Sequence, residues 1–415
     1  MAPRLPRAAD EIDGQGGTLL PGLHDHHLHL LALAARVQSV ELRGLLDPAE
    51  IGRRLVASDA PYIRATDYDE RAAGLLDAAL LDRWVSDRPL RVQDRTGALW
   101  VLNSAALEAL AGHELPLGAE RDDSGVPTGR FWREDHWLGR AIPRVVPDLS
   151  ALGARLAGYG LTGLTDAGAC NGPEEAATLA LGGLSQRLTL MGREALTAGE
   201  GYALGPLKLL LDERDLPSLA TVAESVTVAR RQGRNVAAHC VTDGELAYFL
   251  AVLDLAGGAR QGDRVEHGGI ISPALMQMVA ACGLVVVTNP AFLYDRGDRY
   301  LAEVQEIEDL YRIGSLQQAG IKVLAGSDAP YAAVDPWLGM RAARDRLTAG
   351  GHCLAPDERI TARKALDLYC AGAIGIGQPA DLIVCAGTFA DVLGDLDQGR
   401  VRLTFCAGAL SSVTA

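Results

Sequence analysis

Short apolar runs alternate with amphipathic stretches along most of this chain. Runs rich in Val, Leu and Ile have the length and composition of buried β-strands. They occupy residues 19–29, 161–166, 187–191, 205–212, 235–240, 264–269, 283–289 and 321–328. Between the later runs, apolar residues recur at helical spacing, as over residues 216–232, 243–256, 273–282 and 313–319. Strand and helix therefore alternate.

This alternation predicts parallel βα units, and eight such units close into a (β/α)8 TIM-like barrel of the α/β class. We predict that the barrel spans residues 21–380. A long segment separates its first two strands, so residues 31–150 form a predicted insert subdomain. In such barrels the chemistry lies at the carboxyl ends of the strands, where loops and inserts form the pocket walls.

The first run ends in two histidines separated by one residue, His27 and His29. Side chains alternate faces in an extended strand, so Asp25, His27 and His29 share one face and His26 points to the other. A solvated or buried histidine cluster without metal is the alternative interpretation. The later runs favour a metal site, because they also place metal-binding or basic side chains near their ends.

Several motifs resemble those of the amidohydrolase superfamily, and in particular its amidohydrolase 3 (YtcJ-like) group of metal-dependent hydrolases. The motifs are Pro21-Gly22-x-x-Asp25-x-His27-x-His29, Lys208, His239, Glu266-His267, residues 326–330 (Gly-Ser-Asp-Ala-Pro), and the softer stretches 99–107, 125–129 and 380–384. The resemblance covers nearly the whole chain. It also implies a small β domain formed by residues 1–20 and 381–415, reduced at its amino-terminal half.

The resemblance implies a metal-ligand set and the roles of its members. The predicted ligands are His27 and His29 for one metal, His239 and His267 for a second, a carbamylated Lys208 as the bridge, and Asp328. Asp328, Lys208 and His267 are the predicted catalytic residues, with Asp328 accepting the proton of the attacking water. Zinc, one or two per chain, is the expected cofactor, while manganese, iron and cobalt stay open. An ordinary lysine in a polar barrel is the alternative interpretation of Lys208.

Three further residues are predicted to contact substrate: Arg95, Arg296 and Tyr331. Arg95 could hold a carboxylate in a bidentate contact, and a salt bridge within the insert is the alternative. Residues 292–300 are interpreted as a lid with Gly297 as its flexible point.

The composition of the chain restricts the kinds of molecule that it is expected to bind. The 415 residues are 48% hydrophobic, which suits a large core, and the net charge of −14 argues against nucleic acid or an anionic membrane surface. The seven cysteines show no paired short spacing, as expected for reduced thiols of a cytoplasmic enzyme. We expect a small-molecule substrate, and homo-oligomerisation is left open.

The predicted function is hydrolysis of a non-peptide carbon–nitrogen bond, in an amide or cyclic amide of a small molecule, by metal-activated hydroxide. Hydrolytic deamination of a ring amine or amidine at the same site is the nearest alternative, because fold and metal set are shared by both chemistries. A non-catalytic barrel serving as a scaffold is the alternative from another class of protein.

Overall fold

The computed structural model describes residues 12–142, 148–370 and 372–413. They group into two compact units, one comprising the described residues up to Leu33 and from Asp148 onward, and the other lying within Ala34–Pro147. The strands are β1 (Thr18–Pro21), β2 (Leu23–Leu28), β3 (Val40–Glu41), β4 (Ile63–Tyr68), β5 (Leu90–Asp94), β6 (Leu99–Leu102), β7 (Ala119–Arg121), β8 (Pro127–Trp132), β9 (Leu161–Asp166), β10 (Arg187–Gly192), β11 (Ala203–Leu209), β12 (Val236–Cys240), β13 (Arg264–His267), β14 (Val285–Thr288), β15 (Val323–Ala325), β16 (Leu382–Cys385), β17 (Val401–Cys406) and β18 (Ala409–Val413). The α-helices are α1 (Leu30–Val37), α2 (Pro48–Val56), α3 (Ala78–Trp84), α4 (Ser104–Glu108), α5 (Asp135–Ala141), α6 (Leu149–Gly158), α7 (Pro173–Leu181), α8 (Leu219–Arg231), α9 (Asp243–Leu255), α10 (Pro273–Ala281), α11 (Ala291–Glu303), α12 (Ile313–Gln318), α13 (Pro336–Asp345), α14 (Ala362–Asp367) and α15 (Phe389–Asp395).

Eight parallel strands form the central sheet of the first unit, in the order β2, β9, β10, β11, β12, β13, β14 and β15. The two outer strands lie next to each other: the amide of Asp328 donates to the carbonyl of His27 over 2.7 Å, and the amide of His29 donates to that of Ala329 over 2.8 Å. The sheet therefore closes at its carboxyl end, and the predicted (β/α)8 barrel is confirmed.

The first predicted strand, residues 19–29, is in fact two strands separated by Gly22. β1 pairs antiparallel with β16, whereas β2 pairs parallel with β9 in the barrel. Gly22 lies so close to Thr162 that a Cβ would be 2.0 Å from its Oγ1. Its amide donates to the carbonyl of Asp381 over 2.8 Å. The prediction of one continuous strand is wrong, because the apolar pattern runs through the glycine at which the chain passes from one sheet to the other.

A smaller antiparallel sheet, in the order β1, β16, β17 and β18, belongs to the same unit as the barrel. Its strands come from the two segments for which a small β domain is predicted. Residues 1–11, 414 and 415 of that prediction lie outside the described residues. The Thr404 hydroxyl donates to the buried carbonyl of Ala157 in α6 over 2.7 Å, which ties the sheet to that helix.

The unit within Ala34–Pro147 has its own sheet and its own core. Its six strands run in the order β3, β4, β5, β6, β8 and β7, parallel from β3 to β5 and antiparallel beyond. Two clusters of fully or nearly fully buried apolar residues lie within it, one containing Ile63 and Val92, the other containing Phe131 and Leu138.

Two sequence-based expectations about helices need correction. The helix predicted over residues 216–232 begins at Leu219, because the Ser218 hydroxyl accepts the amide of Thr221 and caps the helix there. The predicted lid is an ordered helix, α11, and Gly297 is buried within it. A Cβ on Gly297 would lie 2.4 Å from Thr348 Cγ2. Gly297 therefore permits close packing and is not a flexible point.

Candidate metal centre

The residues predicted to carry the chemistry lie at or just beyond the carboxyl ends of barrel strands. His27, Lys208 and His239 are the penultimate residues of β2, β11 and β12, and His267 ends β13. Asp328 follows β15. This is the end at which barrel enzymes place their reacting groups, because neighbouring parallel strands deliver their last side chains to one rim.

His27, His29 and Asp328 form a compact cluster whose ligand atoms all lie within 4.8 Å of one another. Asp328 Oδ1 is 3.1 Å from His29 Nε2 and 3.4 Å from His27 Nε2. Both His27 Nε2 and Asp328 Oδ1 are buried, and neither has a hydrogen-bond partner among the described residues. Buried polar atoms are normally satisfied. A divalent cation would satisfy this donor set, so the residues fit a metal ion.

His239 and His267 lie beside this cluster. Their ring centroids are 4.5 Å apart, and the His267 ring is 4.7 Å from that of His27. His267 Nδ1 donates to Asn289 Oδ1 over 2.7 Å, since the Asn289 amide nitrogen is occupied by the carbonyl of Gly326 at 3.0 Å. This hydrogen bond leaves the lone pair of His267 on Nε2, the nitrogen that is then available to bind a metal.

Lys208 is buried, with 6% of its surface exposed. Within the described part of the chain its Nζ finds no hydrogen-bond partner. Burial lowers the pKa of Lys208, although the attraction of Glu266 acts in the opposite direction. A neutral amine is the form that can react with carbon dioxide, so this environment suits the carbamylated lysine that the resemblance implies.

The electrostatic environment favours the metal-binding protonation states of His239 and Asp328. At His27, by contrast, burial would lower the pKa, but Glu266 and Asp328 outweigh it and raise that pKa. Burial and the neighbouring Lys208 lower the pKa of His239 to about 4, so its imidazole is neutral near pH 7. Burial alone would raise the pKa of Asp328, but contacts from His27 and His29 outweigh it and hold that pKa well below its usual range. Neutral imidazole and ionised carboxylate are the forms that coordinate cations.

Two of these residues have left-handed backbone conformations, with φ of 69° at His267 and 57° at Asp328. Such values are uncommon outside glycine and cost free energy. Hydrogen bonds hold the backbone beside both: the amide of Gly268 donates to the carbonyl of Cys240 over 3.0 Å, and that of Asp328 donates to His27.

The predicted substrate contacts fall in different parts of the structure. The Tyr331 ring lies 5.6 Å from that of His29, and Arg296 donates to the carbonyl of Tyr331 over 2.8 Å while its guanidinium covers the Phe292 ring at 4.1 Å. Arg95 lies in the insert unit, where its nitrogens are 3.8 and 3.9 Å from Glu70 and Asp69. All three remain predictions as substrate contacts.

Several polar residues that lie behind the cluster have no role predicted from the sequence. Asp25 accepts the amides of His27 and Ser327 over 3.1 and 3.0 Å, which joins β2 to the chain after β15. Glu266, beside His267 in the sequence, contacts His27 Nδ1. The position of Glu266 next to the candidate ligand His267 is a feature of the sequence that points to the site. The sequence does not show that its partner is His27, which lies 239 positions away.

A model of the amidohydrolase family matches residues 10–411 of the sequence. The chain belongs to the amidohydrolase family. This finding confirms the resemblance and the expected class of enzyme, a hydrolase of carbon–nitrogen bonds other than peptide bonds.

Two proteins of similar sequence match most of this amidohydrolase. The N-substituted formamide deformylase of Arthrobacter pascens is 26% identical, over 97% of the chain and 90% of its own length. YtcJ of Bacillus subtilis (strain 168), described as an amidohydrolase, is 24% identical over 88% of the chain and 81% of its own length. A solved structure of a metal-dependent hydrolase from Pyrococcus horikoshii OT3 superposes with a TM-score of 0.73 at 20% identity, covering 86% of this chain and 81% of that one. The likeness to that structure shows a shared fold.

No helix of this amidohydrolase, over the residues described, is both long and apolar enough to cross a membrane.

Proposed function

We propose that this amidohydrolase uses divalent metal to hydrolyse an amide or cyclic amide bond in a small molecule. The convergence of His27, His29 and Asp328 is the observation that supports the proposal most directly, since two of their buried ligand atoms have no other partner in the part of the chain described. Imidazole and carboxylate donors suit zinc, which we propose as the metal, at one or two ions per chain.

We propose that the ligands form two groups. His27 and His29 would hold one cation, His239 and His267 would hold a second, and carbamylated Lys208 would bridge them. When bound, the metal supplies Lewis acidity that lowers the pKa of a water molecule and polarises the carbonyl of the substrate. The short distances between the histidine rings are compatible with two neighbouring ions.

Asp328 is the proposed proton carrier. Its carboxylate is ionised and lies at the centre of the cluster, within 4.0 Å of nitrogens of His27, His29 and His267. From there it can accept the proton of the attacking water and deliver it to the leaving nitrogen. The nitrogen then departs as a neutral amine.

The first substrates to examine are N-substituted formamides, because the Arthrobacter pascens relative is named for deformylating them. We propose that Tyr331 contacts the bound substrate from the side of His29, and that Arg296 supports it by holding the Tyr331 carbonyl. Arg95 is a further proposed contact.

The test is a product analysis on zinc-loaded protein. N-substituted formamides, N-acyl amino acids, cyclic imides and aminated heterocycles are supplied in turn, and formate or other acid, amine and ammonia are measured separately. We expect acid and amine in equal amounts from the open-chain amides, and a single ring-opened acid from the cyclic imides. Ammonia released from the heterocycles alone would identify the deaminase alternative, and a protein that takes up no metal after reconstitution would contradict the proposal.

Asp328→Asn tests the proton carrier on whichever substrate is turned over. We expect kcat to fall by about 100- to 10,000-fold, the usual contribution of general acid–base catalysis. Asp254→Asn is the matched control, because Asp254 is exposed on α9 and should tolerate the same chemical change without loss of rate. Full activity of Asp328→Asn would show that another group carries the proton.

A further inference from the structure

Glu266 lies beneath the cluster and is fully buried. Its Oε2 contacts His27 Nδ1, the ring nitrogen on the side opposite to Asp328. The contact crosses the interior of the barrel, because β14 and β15 lie between β13 and β2 in the sheet. Glu266 is therefore placed to act on His27 from across the barrel.

Both oxygens of Glu266 are already occupied. Arg264, two residues earlier on β13, donates from Nε to Oε1 and from an Nη to Oε2 over 3.1 Å. Together with the His27 contact, these hydrogen bonds leave Glu266 poorly suited to bind a metal directly. Its role must be exerted through the groups that it contacts.

Arg264 also holds the backbone of the metal-binding strand. The pairing of β2 with β9 shifts register between Asp25 and Leu28, so the strand ladder is interrupted where His26 and His27 lie. At this interruption the Arg264 guanidinium donates to the carbonyl of His26 over 2.7 Å. Arg264 thus fixes the peptide just before His27, while Glu266 fixes its ring.

A histidine ligand needs a defined tautomer and ring orientation, and a carboxylate accepting its second N–H provides both. With Nδ1–H donated to Glu266, the lone pair of His27 lies on Nε2, which faces Asp328 and His29. A neutral acceptor at position 266 would hold the ring less firmly. Loss of Arg264 would free both the carboxylate and the His26 carbonyl.

We propose that Arg264 and Glu266 form a positioning pair that sets the tautomer and orientation of His27 and thereby raises the affinity of the site for metal. The proposal rests on the metal-dependent function proposed above. Both act on the site only through His27 and the backbone beside it.

The test compares cobalt(II) and zinc(II) dissociation constants, measured by competition with a chelating dye, for the full-length wild type, Glu266→Gln and Arg264→Lys. We expect the dissociation constant to rise by about 10- to 100-fold for Glu266→Gln, the usual effect of losing such a carboxylate. A smaller rise is expected for Arg264→Lys, which keeps the charge but loses the forked contact. The visible absorption of bound cobalt should change in Glu266→Gln.

Asp263→Asn is the matched structural control. Asp263 is a fully buried carboxylate next to Arg264 in the sequence. It pairs with Arg230 at 2.9 Å and accepts the amides of Val236 and Arg260, none of which is a proposed metal ligand. We expect this variant to lower the melting temperature without changing metal affinity. If it weakens metal binding as much as Glu266→Gln does, the positioning role is wrong and general destabilisation explains both.

The zinc-loaded wild type provides a second measurement that needs no variant. Nitrogen-15 NMR of the His27 ring should show Nδ1 protonated and Nε2 coordinated; the opposite arrangement would overturn the inference even if Glu266→Gln failed to fold. A wild type that binds neither metal would instead contradict the proposed function.

Discussion

Lys208 offers a test at the scale of a single residue. Its buried Nζ has no partner in the described residues, and such a group costs about 1–3 kcal/mol of folding free energy. Lys208→Met removes the amine while keeping a similar length. We expect metal-free Lys208→Met to unfold at higher denaturant concentration than the wild type, but to bind fewer zinc ions per chain in bicarbonate buffer.

Lys364→Met is the control for this substitution, because Lys364 is exposed on α14. It should change neither stability nor metal content by much. Unchanged zinc binding by Lys208→Met would contradict the bridging role, whereas a large loss of stability would show that Lys208 forms interactions important for the metal-free fold.

Local sequence patterns predict some features of the cluster better than others. Alternation along an extended strand predicts that His27 and His29 share a face, and the structure places both beside Asp328. The contact of His27 with Glu266 joins residues 239 positions apart across the barrel. No local periodicity of the sequence predicts this contact, because the contact depends on how the sheet closes into a barrel.

At the scale of one element, the close packing of α11 makes Gly297 sensitive to substitution. Replacing glycine by alanine in a helix interior usually stabilises the helix by about 0.8–1.0 kcal/mol. At Gly297 its Cβ would meet Thr348 Cγ2 at 2.4 Å and Leu354 Cδ1 at 2.6 Å. Overpacking of this kind costs about 1–3 kcal/mol, so we expect Gly297→Ala to lower the melting temperature.

Gly394 in α15 is the counterpart, since outside its own helix no atom of the described residues lies within 4 Å of the Cβ that it would gain. Gly394→Ala should raise the melting temperature slightly through helix propensity alone. If both variants shifted the melting temperature in the same direction, helix propensity rather than packing would dominate α11.

All eight barrel strands could be predicted because buried parallel strands are continuous apolar runs. The predictions from sequence fail where one pattern of apolar and polar residues is compatible with two different structures. The run through Gly22 is apolar on both sides, so nothing in it separates β1 from β2. The segment around Gly297 is polar enough to resemble a loop, yet its buried side packs against residues near Thr348, which the local sequence does not show.

At the scale of the whole molecule, the unit within Ala34–Pro147 has a sheet and two apolar clusters of its own. A separate core is what allows a domain to fold alone. We expect the excised segment, expressed as residues 34–147, to unfold cooperatively with a dispersed NMR spectrum.

Val92→Asp provides the control for that experiment, because Val92 is fully buried in one of the two clusters. It should abolish the cooperative transition of the excised segment. A wild-type segment that already lacks a transition would show that the insert needs the rest of the chain in order to fold.

The closing contact between the first and last barrel strands also sets a time order during synthesis. The amide of Ser327 bonds to Asp25, a residue 302 positions earlier. At about 5–20 residues per second, a ribosome needs roughly 15–60 s to travel that far. His27 and His29 are therefore synthesised long before Asp328. The complete cluster can form only after Asp328 has been synthesised, so translation products that end before this residue lack it, and a cation can bind all three residues only from that point onward.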